Sequence, residues 1–158
     1  MFKLANRKRI NEYLDECENN SQKSTLNLNY CLILIDIDDF KAINDQHGHD
    51  IGDKVLVHFS AILDRLTRRS DLVARWGGEE FIIICPQTSI RGARGLAEGL
   101  RLTLSSHEFG EAGRVTSSFG VAEYNPGEPI SGMLKRADMA LYQAKQEGRN
   151  RVVLAEDD

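Results

Sequence analysis

Apolar residues fall into two kinds of run along this chain, and their spacing predicts the elements. Tyr30 to Ile37 is an unbroken apolar stretch, Cys31-Leu32-Ile33-Leu34-Ile35, ending in acids at Asp36 and Asp38. It is short and β-branched, which predicts a buried strand rather than a helix. Val55 to Leu66 instead places apolar side chains at 55, 56, 59, 62, 63 and 66, a helical stripe. Leu4 to Glu16 has helix-like spacing at Leu4, Ile10, Tyr13 and Leu14, and polar Asn19 to Asn29 is expected to break it. Further helices are predicted from near Asp39 to His47 and Gly48, over Ile90–Leu104 despite three glycines, and over Ile130–Gln146 with Gly148 as its cap. Val115–Tyr124 reads as a strand, with Thr116, Ser118 and Gly120 on one face and Ser117, Phe119 and Val121 on the other. Val152–Leu154 is a short final strand, and His107–Gly113 and Asn125–Pro129 are loops.

The stretch from Leu72 to Cys85 stands apart. Leu72-Val73-Ala74 leads through Arg75 and Trp76 to Gly77-Gly78, then Glu79-Glu80-Phe81 and Ile82-Ile83-Ile84. Two β-rich runs around Gly-Gly predict a hairpin, with glycine supplying the positive φ of a tight turn. Its apolar arms belong in a core, yet two adjacent carboxylates sit at its tip. Like charges brought together and half-buried need a cation to neutralise them. A divalent metal is the natural candidate, and carboxylate oxygens suit magnesium. After an opening helix the order is strand, helix, helix, hairpin, helix, strand, helix, strand. That order predicts an α+β fold with a largely antiparallel sheet.

A chain of 158 residues suits one domain spanning 1–158. Its 41% hydrophobic and 28% charged content is ordinary for a globular protein. The net charge of −4 argues against nucleic acid as a partner. Any phosphate must therefore be bound by local cations, metal or backbone amides. Cys17, Cys31 and Cys85 are odd in number and widely spaced, with neither a disulfide framework nor zinc spacing. No stretch reaches transmembrane length and no signal-peptide pattern follows Met1, so the chain is read as cytoplasmic, without a membrane partner.

Gly77-Gly78-Glu79-Glu80-Phe81 resembles the signature of the GGDEF family, the diguanylate cyclases, in its GGEEF variant. Four further stretches follow the family's motifs in order: Asp36 to Asp45, Arg68 to Asp71, Thr116 to Gly120, and Ala137 to Asn150. The resemblance implies a palm-type, ferredoxin-like nucleotide cyclase fold. It implies Mg²⁺, with Mn²⁺ as an alternative, held by Asp36, Glu79 and the carbonyl of Ile37, with a metal-bound role also open to Glu80. It casts Glu80 as general base toward a 3′-hydroxyl, and Lys145 and Arg149 as holders of the triphosphate. Phe40 and Lys41 open a helix whose free amides suit phosphate. Asn44 and Asp53 would read guanine, with His49 beside the substrate. A carboxylate accepts from the guanine N1–H and N2–H₂, a donor pair adenine lacks. Arg68 and Asp71 would form an inhibitory site for the product. The implied reaction joins two GTP into cyclic di-GMP, and one site per chain requires a two-fold homodimer for turnover.

Each motif also has a plainer reading. Asp36 and Asp38 could be a strand-end acid and a helix cap. Glu80 could pair with Arg75 across the hairpin. Lys145 and Arg149 could be cations at a helix C-terminus. His47-Gly48-His49-Asp50 could be a helix-ending turn, and it lacks a third ligand for zinc. Of the family's usual opening, Asp-x-Leu-Thr-Gly-Leu-x-Asn-Arg, only Leu4, Asn6 and Arg7 remain. The chain is therefore expected to be an excised domain or one diverged at its front. Rival functions are a silent module binding GTP or cyclic di-GMP without turnover, another palm-type nucleotidyl enzyme, and a purely structural partner domain.

Overall fold

The computed structural model describes residues 4–23 and 29–156. The elements are α1 (Arg7–Lys23), β1 (Tyr30–Ile37), α2 (Phe40–His47), α3 (His49–Leu66), β2 (Leu72–Arg75), β3 (Glu80–Pro86), α4 (Ile90–Ser106), β4 (Ser117–Glu123), α5 (Ile130–Gln146) and β5 (Val152–Leu154). The strands form one sheet in the order β2-β3-β1-β4-β5. All neighbours are antiparallel except β4 and β5. The fold is α+β, a mixed five-stranded sheet flanked by helices. Among the described residues no helix is long and apolar enough to cross a membrane.

Every residue of β1 is buried, because this central strand is covered on both faces. That is why it reads as an unbroken apolar run instead of an alternation. Ile33, Ile35 and Ile37 join Phe81, Ile83 and Phe119 beneath Phe59 and Leu63 of α3 and Leu100 of α4. Leu32 and Leu34 join Ile82 and Ile84 beneath Ile10 and Leu14 of α1 and Met133 and Leu141 of α5. The even parity carries on to Asp36, which faces the α1 and α5 side. Its ladder partners are Glu80 on β3 and Ser118 on β4.

Gly120 explains how α5 comes so close. A Cβ there would lie 2.2 Å from the Ala137 carbonyl oxygen and 2.5 Å from the Leu141 nitrogen. The helix therefore rests directly on the β4 backbone, a contact only glycine allows.

The strand expected over Val115–Tyr124 is shorter, Ser117–Glu123, and the expected loop His107–Gly113 holds one 3-10 turn at Gly110–Ala112. Three other elements differ more. The first helix starts at Arg7 and continues past Asn19 to Lys23, since buried Cys17 extends the stripe of Ile10 and Leu14. Residues 24–28 of the expected polar break lie outside the described residues. Ahead of α1 the chain is extended, with Ala5 bridged in parallel to Ala74, and Asn6 caps the helix by accepting from the Arg9 amide. Next, α3 begins at His49 rather than Val55, because its first turn packs through buried Gly52, which an apolar count does not register. Finally, the hairpin turn is a four-residue loop, Trp76–Glu79, and neither Gly77 nor Gly78 has a positive φ. A Cβ on Gly78 would meet nothing within 4 Å and one on Gly77 only ordinary contact with Glu80, so neither φ nor crowding within this chain calls for glycine there.

Gly120→Ala is expected to overpack the α5–β4 contact and cost about 3 kcal/mol. The check is a lower urea midpoint with an unchanged m-value.

Candidate active site

The site forms where β1 runs out. Asp36 is 4% exposed, and the ladder places Glu80 beside it on the same face. Lys145, in the last turn of α5, ion-pairs with Asp36 Oδ2. Asp36 Oδ1 is buried without a hydrogen-bond partner. Burial pushes the Asp36 carboxyl up to about 6; Lys145 draws it back, and Glu79 and Glu80 push it further. Burial also raises the Glu80 carboxyl, Lys145 lowers it, and Asp138 and Glu79 raise it. Three carboxylates thus share the field of one close lysine, a cluster short of positive charge.

An open cavity of about 170 Å³ adjoins this cluster, lined by residues 36–41 together with Glu79, Lys145 and Arg149. Glu79 reaches it because its carbonyl accepts from the Ile37 amide at 3.2 Å, extending the β1–β3 ladder beyond the strands. Asp39 caps α2 with a left-handed backbone (φ 55°, ψ 33°) and makes no side-chain cap bond. The first amides of α2 are therefore not answered by Asp39. Arg149 approaches the Asp39 carboxylate at 3.6 Å. Arg149 and Asn150 are left-handed as well, with φ of 65° and 47°.

Asp38 behaves differently from Asp36. It accepts from Thr116 Oγ1 at 2.7 Å, Ser118 Oγ at 2.7 Å and the Asn150 amide at 3.0 Å. It is a structural acceptor, and the cap of α2 is Asp39. Arg75 does not pair with Glu80; it donates to the carbonyls of Gly77 and Gly78 and braces the loop from within.

The remaining predicted residues fall into two groups. Asn44, half-buried on α2, has an orphaned Oδ1 that lies against Gly52 of α3. A Cβ at position 52 would sit 1.8 Å from that oxygen and 3.3 Å from Phe40 Cζ. His49 and Asp53 are exposed on the first turns of α3, flanking the same contact. Phe40 lines the cavity and reaches this group, so the two are contiguous. Arg68 and Asp71 lie elsewhere, at the opposite end of the β2–β3 hairpin from Glu80, where Arg68 donates to the Pro86 carbonyl, roughly 20 Å along the strand. Asp71 is fully buried and Arg68 is 56% exposed; they pair at 3.1 Å, and Arg68 also donates to Thr88. A cavity of about 320 Å³ opens beside them.

Residues 1–151 match the family described as diguanylate cyclase, GGDEF domain. The chain belongs to the GGDEF family. It is 46% identical over 126 residues to the diguanylate cyclase DgcM of Escherichia coli, covering 80% of this chain and 31% of that one. It is 49% identical over 127 residues to the response regulator PleD of Caulobacter vibrioides, covering 77% and 28%. The chain thus spans under a third of these curated relatives. The active GGEEF domain of a Vibrio cholerae diguanylate cyclase superposes with a TM-score of 0.90 at 34% identity, covering 99% of this chain and all of that one. The GGDEF domain of Caulobacter crescentus DgcB, solved with c-di-GMP, gives 0.89 at 37% identity, covering 98% and 92%.

GGDEF diguanylate cyclases generally need a divalent metal. Among the described residues of this GGDEF domain no three His, Cys, Asp or Glu side chains form a ready cage. The donor set nevertheless fits a hard cation. Asp36 Oδ1 is buried and unpartnered, Glu79 borders the same cavity, and a lysine ammonium already sits on the other Asp36 oxygen.

Several contributors carry no motif of their own. Gly52 sets the α2–α3 approach, and Arg101 of α4 donates to Asn150 Oδ1 at 3.2 Å. Arg7 lies 4.0 Å over the Trp76 ring and donates to the Trp76 carbonyl, fastening the start of the loop that bears Glu79 and Glu80. Only the Asn6-Arg7 pair hinted at the last of these.

In metal-free buffer, the raised Asp36 carboxyl predicts a pH effect. The folded state holds this proton up to about pH 6 and the unfolded chain releases it near 3.8. Between these values the native state binds more protons, so stability falls as pH rises from about 4 to about 6. Asp36→Asn is expected to flatten that segment of a urea-midpoint profile. An unchanged slope would remove Asp36 as its source.

Proposed function

We propose that this GGDEF domain, in its GGEEF form, is a diguanylate cyclase that condenses two GTP molecules into cyclic di-GMP and two pyrophosphates. The observation that carries the reading is the convergence of Asp36, Glu79, Lys145, Arg149 and the start of α2 on one cavity. Acids for a cation and bases for a triphosphate meet there, with Asn44 and Phe40 leading on to a second group suited to a purine.

Asp36, Glu79 and the Ile37 carbonyl are the residues to hold Mg²⁺ or Mn²⁺, with Glu80 adjacent. Such an ion, when bound, neutralises charge on the phosphate oxygens and polarises the α-phosphorus. The chain's own groups do the rest. Lys41, Lys145, Arg149 and the α2 amides hold the phosphates. Asn44 and Asp53 answer the guanine edge, and His49 lies beside them. Glu80, whose raised carboxyl is matched to proton transfer nearer neutrality, accepts the 3′-hydroxyl proton. The freed oxygen bonds to the α-phosphorus of the facing GTP, the bond to the bridging oxygen breaks, and pyrophosphate leaves. The same exchange in the other direction closes the ring. Each chain presents one nucleotide, so a homodimer with facing sites is required. Arg68, more than half exposed and aligned by buried Asp71, suits inhibition by the product through bidentate contacts to phosphate or guanine. GTP supply places the reaction in the cytoplasm.

The alternative is a module that binds GTP or cyclic di-GMP without turnover. Its one support is Lys145 seated on Asp36, where a cation would go.

The test is pyrophosphate release from GTP with Mg²⁺, using a dimerised fusion as control. Rates are expected to rise more steeply than linearly with enzyme at low concentration. Glu80→Gln is expected to lower turnover by a factor of about 10² or more with the fold unchanged by circular dichroism. No release from the dimerised fusion would leave the silent module as the reading. Arg68→Ala is expected to weaken inhibition by added cyclic di-GMP by about tenfold or more. An unchanged inhibition constant would dismiss that site.

A further inference from the structure

We propose that Asp38 and Arg101 are positioning residues that lock the left-handed Arg149–Asn150 turn against the end of β1, and so aim Arg149 at the nucleotide phosphates. The inference rests on the cyclase reading of the cavity.

Two consecutive non-glycine residues with positive φ are strained, arginine more than asparagine, and such a turn persists only where its surroundings hold it. The restraints here are specific. The Asn150 amide donates to Asp38 Oδ2 at 3.0 Å, and Asn150 Oδ1 accepts from Arg101 Nη1 at 3.2 Å. The two contacts hold the backbone and the side chain of one residue. Each anchor is itself fixed. Asp38 is 6% exposed and held by Thr116 and Ser118 of the β4 region, while Arg101 is held by Glu98 at 3.0 Å. Both Asp38 oxygens are thus occupied by protein donors, which leaves Asp38 a role in geometry. A chain of polar contacts runs from α4 through Asn150 to the residue two positions after Asp36. Arg149 is the neighbour of Asn150 and borders the cavity. The Arg149 amide also donates to the Ala144 carbonyl at 3.0 Å and the Phe119 amide to the Arg151 carbonyl at 2.9 Å. Release of either anchor therefore loosens the turn and shifts the guanidinium without unfolding the turn.

The test compares two ligands that cannot turn over because they lack the 3′-hydroxyl: 3′-deoxy-GTP and 3′-deoxy-GMP. Only the first carries the distal phosphates. Dissociation constants are measured with Mg²⁺ for the parent protein, Asp38→Ala, Asp38→Asn and Arg101→Met. Asp38→Ala is expected to weaken 3′-deoxy-GTP about tenfold and Arg101→Met about threefold, with 3′-deoxy-GMP changed less than about twofold. Asp38→Asn is expected to recover most of the loss. Its amide oxygen can accept from Asn150 while its NH₂ donates to the Ser118 hydroxyl, which can reverse its role. Should Asp38→Ala fail to fold, Arg101→Met and Asp38→Asn decide. Equal losses for the two ligands, or unchanged 3′-deoxy-GTP affinity in Arg101→Met, would overturn the inference alone. A parent protein that binds neither ligand would overturn the cyclase reading and this inference with it.

Discussion

Much of this structure follows from placing an acid at the end of a strand that is buried on both faces. Asp36 continues the inward parity of Leu32 and Leu34, so its carboxylate enters the α1–α5 side of the sheet where water is scarce. A lone buried carboxylate is costly, and the fold answers with the Lys145 ammonium. That answer requires the end of α5 to stand over the end of β1. Gly120 permits it by letting the helix rest on the bare backbone of β4. The strand, the glycine and the lysine are therefore one device, although more than twenty residues separate each from the next in sequence.

The compensation is incomplete by design of the charges. Glu79 and Glu80 bring further negative charge to the same place, and a single ammonium cannot offset them all. A site in this state suits a compact divalent cation, and a ligand that brings one with it. On the proposed reading, a nucleoside triphosphate with its metal is such a ligand: the cations and helix amides would take its anionic tail, and the acids its metal.

The central and last strands were legible as short apolar runs, and the last helix by its single helical period. β1, α5 and β5 have the bounds their apolar pattern predicts. Misreadings cluster where packing uses no large side chain. The first turn of α3 packs through Gly52, and the hairpin glycines have neither the positive φ nor the crowding that would require them. The acids of the site were legible as an anomaly, two adjacent carboxylates beside an apolar strand. The bracing of the site was not. Asp38 and Asp36 look equivalent in sequence and border the same cavity, but both Asp38 oxygens accept from the protein's own donors while Asp36 Oδ1 has no partner. Arg101 and Asn150 meet across 49 positions, and no spacing rule links them.

The front of the chain has a mechanical consequence. Ala5 is bridged to β2, and Arg7 is stacked on Trp76 while it holds that residue's carbonyl. Trp76 opens the short loop that ends at Glu79. The start of α1 is thus tied, through Trp76, to the short loop that carries Glu79, so the helix and the acids share one rigid attachment.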